Sequence, residues 1–300
     1  MKRKVPFVRL VLVLCGLLLA ASASAAENGE INWVGGFVSA IGNGAFAKSG
    51  NMAQARPMAK RAAVADAYRN LLETIKGVKI DSATTVENFS VTQDVIKTQI
   101  DGVVKGARIF KEAYEPQPDG SVLSTVEMRV CISSCPESTS IVQALNIEQS
   151  KEPPYVPQKK LQDIEAANIP PAPKEASKIS YDASKPVTGI IINLEGLIFE
   201  RVLLPVVVAE GLGDAPVTVY SAKCVNPAVV RTQGIVRYTD TTDQARSNPR
   251  LGNNVMVIPA SKITKENMIV VKGDAARLIK ETTAQGNDYL SEAKIVVSAQ

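Results

Sequence analysis

The sequence contains no histidine, and this absence excludes more chemistry than any other feature of its composition. Ser-His-Asp and Cys-His catalysis are ruled out, as are histidine-ligated zinc and haem. Ser–Lys dyads, carboxylate pairs and all-oxygen metal sites stay open. Aromatic residues make up only 5% and tryptophan occurs once, which argues against a stacking platform for bases or sugars. Excess charge of one sign is also lacking once the N-terminus is set apart. The 300 residues hold 34 Lys and Arg against 30 Asp and Glu, and the surplus of four is Lys2, Arg3, Lys4 and Arg9. Beyond residue 25 the formal net charge is zero. Nothing in the charge points to nucleic acid or an anionic membrane surface, and no nucleic-acid partner is expected.

The four basic residues precede an apolar run from Leu10 to Ala20, and Ala23-Ser24-Ala25 forms an A-x-A cleavage pattern. That order is the signature of a secretory signal peptide over residues 1–25. The apolar run is short for a hydrocarbon core of roughly 30 Å, so no membrane span is expected after cleavage. Lipidation at Cys15 would need a small residue before it, and Leu14 stands there. The expected location is the periplasm, with outer-membrane association open.

Three cysteines follow the signal: Cys131, Cys135 and Cys224. An oxidising compartment favours disulfides. A local Cys131–Cys135 bridge is the favoured pairing; 131–224 and 135–224 staples are the alternatives. The spacing is C-x-x-x-C, not the redox motif C-x-x-C.

Along the chain, residues 26–135 read as one domain, 136–186 as a proline-rich linker and 187–300 as a second domain. Residues 31–47 suggest a strand, a bend and a short second strand. Gly35-Gly36 and Gly42-Asn43-Gly44 are taken as turns or bulges, because the Walker continuation is missing. Asn51 to Lys76 is the clearest helix, rich in alanine and ended by Gly77. Met58, Ala62, Leu72 and Ile75 form its expected apolar face, and small residues there would let it approach a sheet closely. Pro57 should kink it, or move its regular start to near Arg56. Residues 78–87 read as a strand and 91–104 as a second helix. Residues 106–115 and 121–131 form a hairpin through Pro116-Gln117-Pro118-Asp119-Gly120. Residues 136–150 allow one short helix. Pro153, Pro154, Pro157, Pro170, Pro171, Pro173 and Pro186 mark the linker, with a turn or two of helix possible over 161–167. The second domain shows β-branched runs at 187–194, 202–208, 217–222, 229–238, 255–259 and 268–271. A helix from Asp274 to Ala284 and a final strand at 293–298 follow. The fold class is α+β: an N-terminal sheet with an alanine-rich helix and a C-terminal hairpin, then a β-rich α+β domain.

Candidate chemistry is sparse. Ser291 and Lys294 match S-x-x-K without its companion motifs, and no G-x-S-x-G elbow exists. Asp240, Asp243 and Asn248 could offer calcium oxygen ligands, but not at EF-hand spacing. No catalytic residue, cofactor site or metal site is expected.

One stretch resembles a known family. Its markers are Ala53, Arg56, Arg61-Ala62-Ala63, Asp66-Ala67-Tyr68-Arg69 and Leu71, then Thr84-Thr85-Val86, then Gly102-Val103-Val104-Lys105-Gly106-Ala107-Arg108. Over roughly residues 31–131 the chain resembles the LPP20-type lipoprotein family and the related N-terminal domain of flagellar assembly protein T. The resemblance implies an exported bacterial envelope protein with no assigned catalytic residues, its flagellar relatives supporting a ring around the basal body. Arg61, Asp66 and Arg69 match the motif, at spacings suited to structural salt links. The expected function is non-catalytic, structural or protein-binding. Envelope or flagellar proteins, or a second copy of the chain, are the expected partners. A small-molecule or calcium-binding periplasmic protein is the alternative, and a hydrolase a more distant one.

Overall fold

The computed structural model describes residues 28–46, 52–91, 94–133, 139–146, 159–160, 179–213, 215–284 and 286–300. The first unit is an antiparallel sheet of order β1-β2-β4-β3 with one long helix across it. Strand β1 spans Gly29–Asn32 and β2 spans Phe37–Phe46, joined by a turn in which Gly36 takes φ +72°. Helix α1 spans Met52–Lys76 and carries Pro57 in its second turn rather than starting near Arg56. Short α2 (Val86–Val91) and α3 (Asp94–Lys105) follow. The hairpin β3 (Arg108–Pro116) and β4 (Val122–Cys131) completes the sheet. Every second residue of β4, from Val122 through Ser124, Val126 and Met128 to Val130, is buried, as its alternation predicts.

Two expectations fail in this unit, each for a physical reason. Gly42-Asn43-Gly44 is neither turn nor bulge but strand interior, paired residue for residue with Thr125 and its neighbours. A Cβ at Gly42 would lie under 3.0 Å from the Ala67 and Ala63 backbone, and one at Gly44 under 3.0 Å from the Ala63 and Ala59 backbone. The glycines let the helix backbone seat directly on the strand. The buried stripe of α1 is accordingly Ala55, Ala59, Ala63, Ala67, Leu71 and Ile75, while Met58 and Ala62 of the expected face are exposed. Residues 78–87 are not a strand. Asp81 accepts from the Ala83 and Thr84 backbone N–H groups at 2.9 and 2.8 Å, and the resulting Asx turn leaves a single bridge, Lys79 to Thr85.

Within the segment expected to link the domains, helix α4 (Ile141–Leu145) is closed by a Ser140–Gln143 capping box and buries Ile141, Val142, Ala144 and Leu145. Strand β5 (Lys159–Lys160) adds in parallel to an edge of the second unit. Near residue 180 the chain is bonded to that unit: Ser180 bridges Val257, and the Asn254 amide donates to the Asp182, Lys185 and Pro186 carbonyls. The helical turn considered for 161–167 and the prolines from 153 to 173 lie outside the described residues.

The second unit holds a parallel sheet of order β10-β6-β13-β9. Strands β6 (Gly189–Asn193), β9 (Arg237–Thr239), β10 (Val255–Pro259) and β13 (Ile295–Ser298) are nearly all buried, as a parallel sheet covered on both faces requires. A mixed sheet of order β11-β12-β7-β8-β5 adjoins it, with β7 at Val207–Glu210, β8 at Val217–Tyr220, β11 at Lys262–Ile263 and β12 at Ile269–Lys272. The strand expected over 229–238 is helix α5 (Pro227–Gln233) followed by β9. Asn226 caps that helix and Pro227 sits at its first turn, which outweighs the β-branched Val229-Val230 pair. Helices α6 (Thr242–Arg246) and α7 (Gly273–Ala284) complete the unit.

The two units share one core. Leu203 and Leu204 donate backbone hydrogen bonds to the Lys79 and Ile80 carbonyls at 3.0 and 2.8 Å. Helix α4 packs between α3 and α5, so the hydrophobic cluster runs from Leu71 and Ile75 through Leu145 to Ile190 and Tyr220.

A candidate binding surface at the seam

The most distinctive surface lies where the units meet. On the first unit, the Asn32 carboxamide oxygen accepts from the Gly35 N–H at 2.6 Å and the Asn32 carbonyl from the Gly36 N–H at 2.8 Å. This turn holds Trp33 half-buried and Val34 39% exposed. On the second unit, the loop after β6 turns through Glu195 and Gly196, both at positive φ. Asn267 clamps its far end, accepting from the Glu200 N–H at 3.0 Å and donating to the Glu200 carbonyl at 2.7 Å. Between these fixed points stand half-buried Leu197 and Phe199, with Ile198 at 94% exposure.

Tyr238 joins the two sides. Its ring meets Trp33 edge-on at 5.6 Å between centroids and Phe199 at 6.2 Å, and the Arg201 guanidinium lies 5.9 Å from its centre. The Tyr238 hydroxyl donates to the Val202 carbonyl at 2.8 Å, and burial pushes its pKa well up. Ion pairs flank the cluster: Lys79 with Glu200 at 2.6 Å and Arg201 with Asp240 at 2.9 Å. Aromatic side chains and arginine are enriched, with a polar rim around them, at protein-binding surfaces in general. On the open face of the first sheet the Arg129 guanidinium lies between the Phe37 and Phe110 rings, at 4.1 and 3.2 Å, and pairs with Glu127 at 2.7 Å.

The motif residues are structural in different degrees. Asp66 accepts from the Asn43 N–H of β2 at 3.0 Å, and Asn70 donates to the Ile41 carbonyl at 2.7 Å. Both satisfy β2 where short β1 no longer pairs with it. Arg69 reaches Asp66 at 3.4 Å, as its spacing predicts. Arg61 is exposed on α1. Cys131 ends β4 and Cys135 lies outside the described residues. Cys224 carries a free thiol, which sets aside both staples through it.

The residues considered for chemistry do not assemble. The Ser291 hydroxyl donates to the Asp288 carbonyl, and Lys294 pairs with Glu292. Asp240 is held by Arg201, and the Asn248 carboxamide accepts from the Arg250 N–H at 3.1 Å. Among the described residues no group of three or more His, Cys, Asp or Glu is placed to hold a metal. Where a carboxylate pKa shifts, it falls: Lys262 holds Glu210 down and Ser184 holds Asp182 down. Arg250 is pushed down to about 10 by burial and then by neighbouring Arg237, while its guanidinium donates to the Gln233 and Gly234 carbonyls at the end of α5. The carboxylate shifts favour the charged forms, whereas burial beside Arg237 works against the charge on Arg250.

Residues 39–128 match the LPP20 lipoprotein family. The LPP20-like segment thus covers α1 and most of the first sheet, including the Asp66 and Arg69 motif positions. Residues 189–299 match a second family model, described as Treponema pallidum Tp0624, second domain. Neither matched segment holds the whole seam: Trp33 precedes the LPP20-like one, and Ile198, Phe199 and Tyr238 belong to the other. No curated protein matches the chain. Among the described residues no helix is long and apolar enough to cross a membrane.

Proposed function

We propose that this chain is an exported bacterial envelope protein with a non-catalytic, protein-binding role, and that the seam is where it binds. The observation that carries the reading is the composite patch of Trp33, Val34, Ile198 and Phe199 around Tyr238. Two units contribute to it, so it exists only while they are docked. Export is supported by the signal pattern in residues 1–25 and by the match to a lipoprotein family. The periplasm is the compartment we assign. A disulfide fits it, and with Cys224 a free thiol we assign Cys131 and Cys135 as the pair. The partner class is another envelope protein, and flagellar assembly is the narrower form of the proposal, resting on the resemblance of residues 31–131. Neither nucleic acid nor, once the signal is removed, a membrane span is part of this reading.

The test is site-specific photo-crosslinking in cells that express the full chain. A photoreactive residue at Ile198 or Val34 should capture a discrete envelope protein, and Trp33→Ala should reduce the yield several-fold. The same probe at exposed Ala62 on α1 is the control. Equal capture at Ala62, or none at Ile198 and Val34, would overturn the proposal. A hydrolase screen with and without divalent metals should return no activity above background.

A further inference from the structure

The β3 strand closes the first sheet on one side, and among the described residues nothing pairs with its outer edge. All its residues except Tyr114 are exposed. Such an edge is a template for another strand. Its side chains restrict which strand fits. The register with β4 shifts between Ile109 and Lys111. Beyond that shift Lys111, Ala113 and Glu115 stand opposite Glu127, Thr125 and Leu123 on the solvent face, while Glu112 and Tyr114 stand opposite buried Val126 and Ser124. Lys60 of α1 already holds Glu112, at 2.5 Å.

We propose that the partner of this edge is a second copy of the same strand, antiparallel, with the two-fold axis at Ala113. In that register Lys111 of each copy faces Glu115 of the other on the solvent side, forming two cross-strand pairs of opposite charge. The smallest side chain of the strand sits on the axis. Alternatives are disfavoured by the same residues. An axis at Lys111 sets lysine against lysine, and one at Glu112 sets glutamate against glutamate. The register shift near Phe110 disturbs regular pairing at the other end of the strand. Lys111 and the bulge therefore act as guards against registers centred on the N-terminal side of Ala113. The product is a continuous eight-stranded sheet with the seam free on both copies. This surface is separate from the seam, so either proposal can fail without the other.

The experiment uses the secreted, disulfide-formed chain carrying Cys224→Ser to remove its free thiol. Opposite residues have Cβ atoms about 4.5–5.5 Å apart, near disulfide reach, so Ala113→Cys should form covalent dimers on mild oxidation. Lys111→Cys should not, because two residues on either side of the axis separate its copies by about 13 Å. Without the engineered cysteines, sedimentation should show a reversible dimer. Lys111→Glu and Glu115→Lys should each weaken it about tenfold or more, and the double swap should restore it. A monomer at every concentration would overturn the proposal. So would cross-linking of Lys111→Cys in place of Ala113→Cys, or a double swap no tighter than the singles.

Discussion

The closest backbone approach in the first unit gives the sharpest prediction. Gly42→Ala adds one methyl group between β2 and α1. Its Cβ would lie under 3.0 Å from Ala67 N and Ala63 O, whereas ordinary contact begins at 3.4 Å. Both obstructing atoms are backbone, so no rotamer change relieves the overlap. Either the 25-residue helix lifts or the strand bends away from it. Overpacking a core costs about 1–3 kcal/mol where side chains can adjust, and more where they cannot, so about 3 kcal/mol or more is expected here. For the two units melting together around their shared core, that corresponds to a melting point lower by roughly 6–12 °C. Gly44→Ala meets the Ala63 and Ala59 backbone and should behave alike. Ala45→Ser, on the exposed side of the same strand, is the control and should stay within about 0.5 kcal/mol. Thermal and urea melts followed by circular dichroism measure all three. A second comparison separates backbone from side-chain obstruction: Ala63→Gly should fail to rescue Gly42→Ala, because the obstructing atoms remain. A Gly42→Ala protein within 0.5 kcal/mol of the parent, or rescued by Ala63→Gly, would refute the reasoning.

Three further outcomes follow from single interactions. Tyr238→Phe removes the hydrogen bond to the Val202 carbonyl and leaves that buried acceptor unsatisfied, which should cost about 1–3 kcal/mol in a urea melt. Glu210 has its pKa lowered in the folded state, chiefly by Lys262. Its contribution is therefore present above the ordinary carboxylate range and lost as pH falls through its lowered folded value. Melts from pH 7 to pH 3 should show a shallower acid decline in Glu210→Gln than in the parent, and identical slopes would count against the Lys262 link. Finally, the secreted chain should react with one equivalent of thiol reagent when denatured, and with three after reduction; three before reduction would exclude the Cys131–Cys135 bridge.

Much of the fold was legible because its elements carry strong local signals. The alternation of β4, the turn chemistry of residues 116–120 and the length of the alanine-rich helix each leave one reading. The buried face of that helix was harder. When a helix is alanine on several sides, apolar periodicity scarcely discriminates among its faces, and Met58 drew the expectation the wrong way. The usable signal was on the strand, where Gly42 and Gly44 are two apart and therefore share a face. Asn226-Pro227 likewise announced the start of α5, and the β-branched pair after it obscured the announcement. The Asx turn at Asp81 was available in principle, as aspartate two and three residues ahead of the N–H groups it accepts. The seam was not legible at all. Trp33 and Tyr238 are 205 positions apart, and the loop from 194 to 201 gives no local reason to expect one isoleucine almost fully exposed.

The docking of the units bears on what the seam can do. Two domains joined by a flexible proline-rich tether would present Trp33 and Phe199 at variable separation, and binding would have to order them first. Here the backbone bonds from Leu203 and Leu204 to the Lys79–Ile80 turn, the Lys79–Glu200 ion pair and buried α4 fix one unit against the other. The family motif supports this indirectly. Asp66 and Asn70 secure β2, and β2 begins directly after the Trp33–Gly36 turn. A change at Asp66 should therefore loosen the strand that positions one half of the patch, although its carboxylate bonds β2 at Asn43 rather than at the Trp33 end. Asp66→Ala should lower crosslinking at Val34 on the first unit more than at Ile198, which Asn267 holds from the second. Equal losses at both positions would mean that Asp66 acts on overall stability alone, and that the motif serves the fold without orienting the surface.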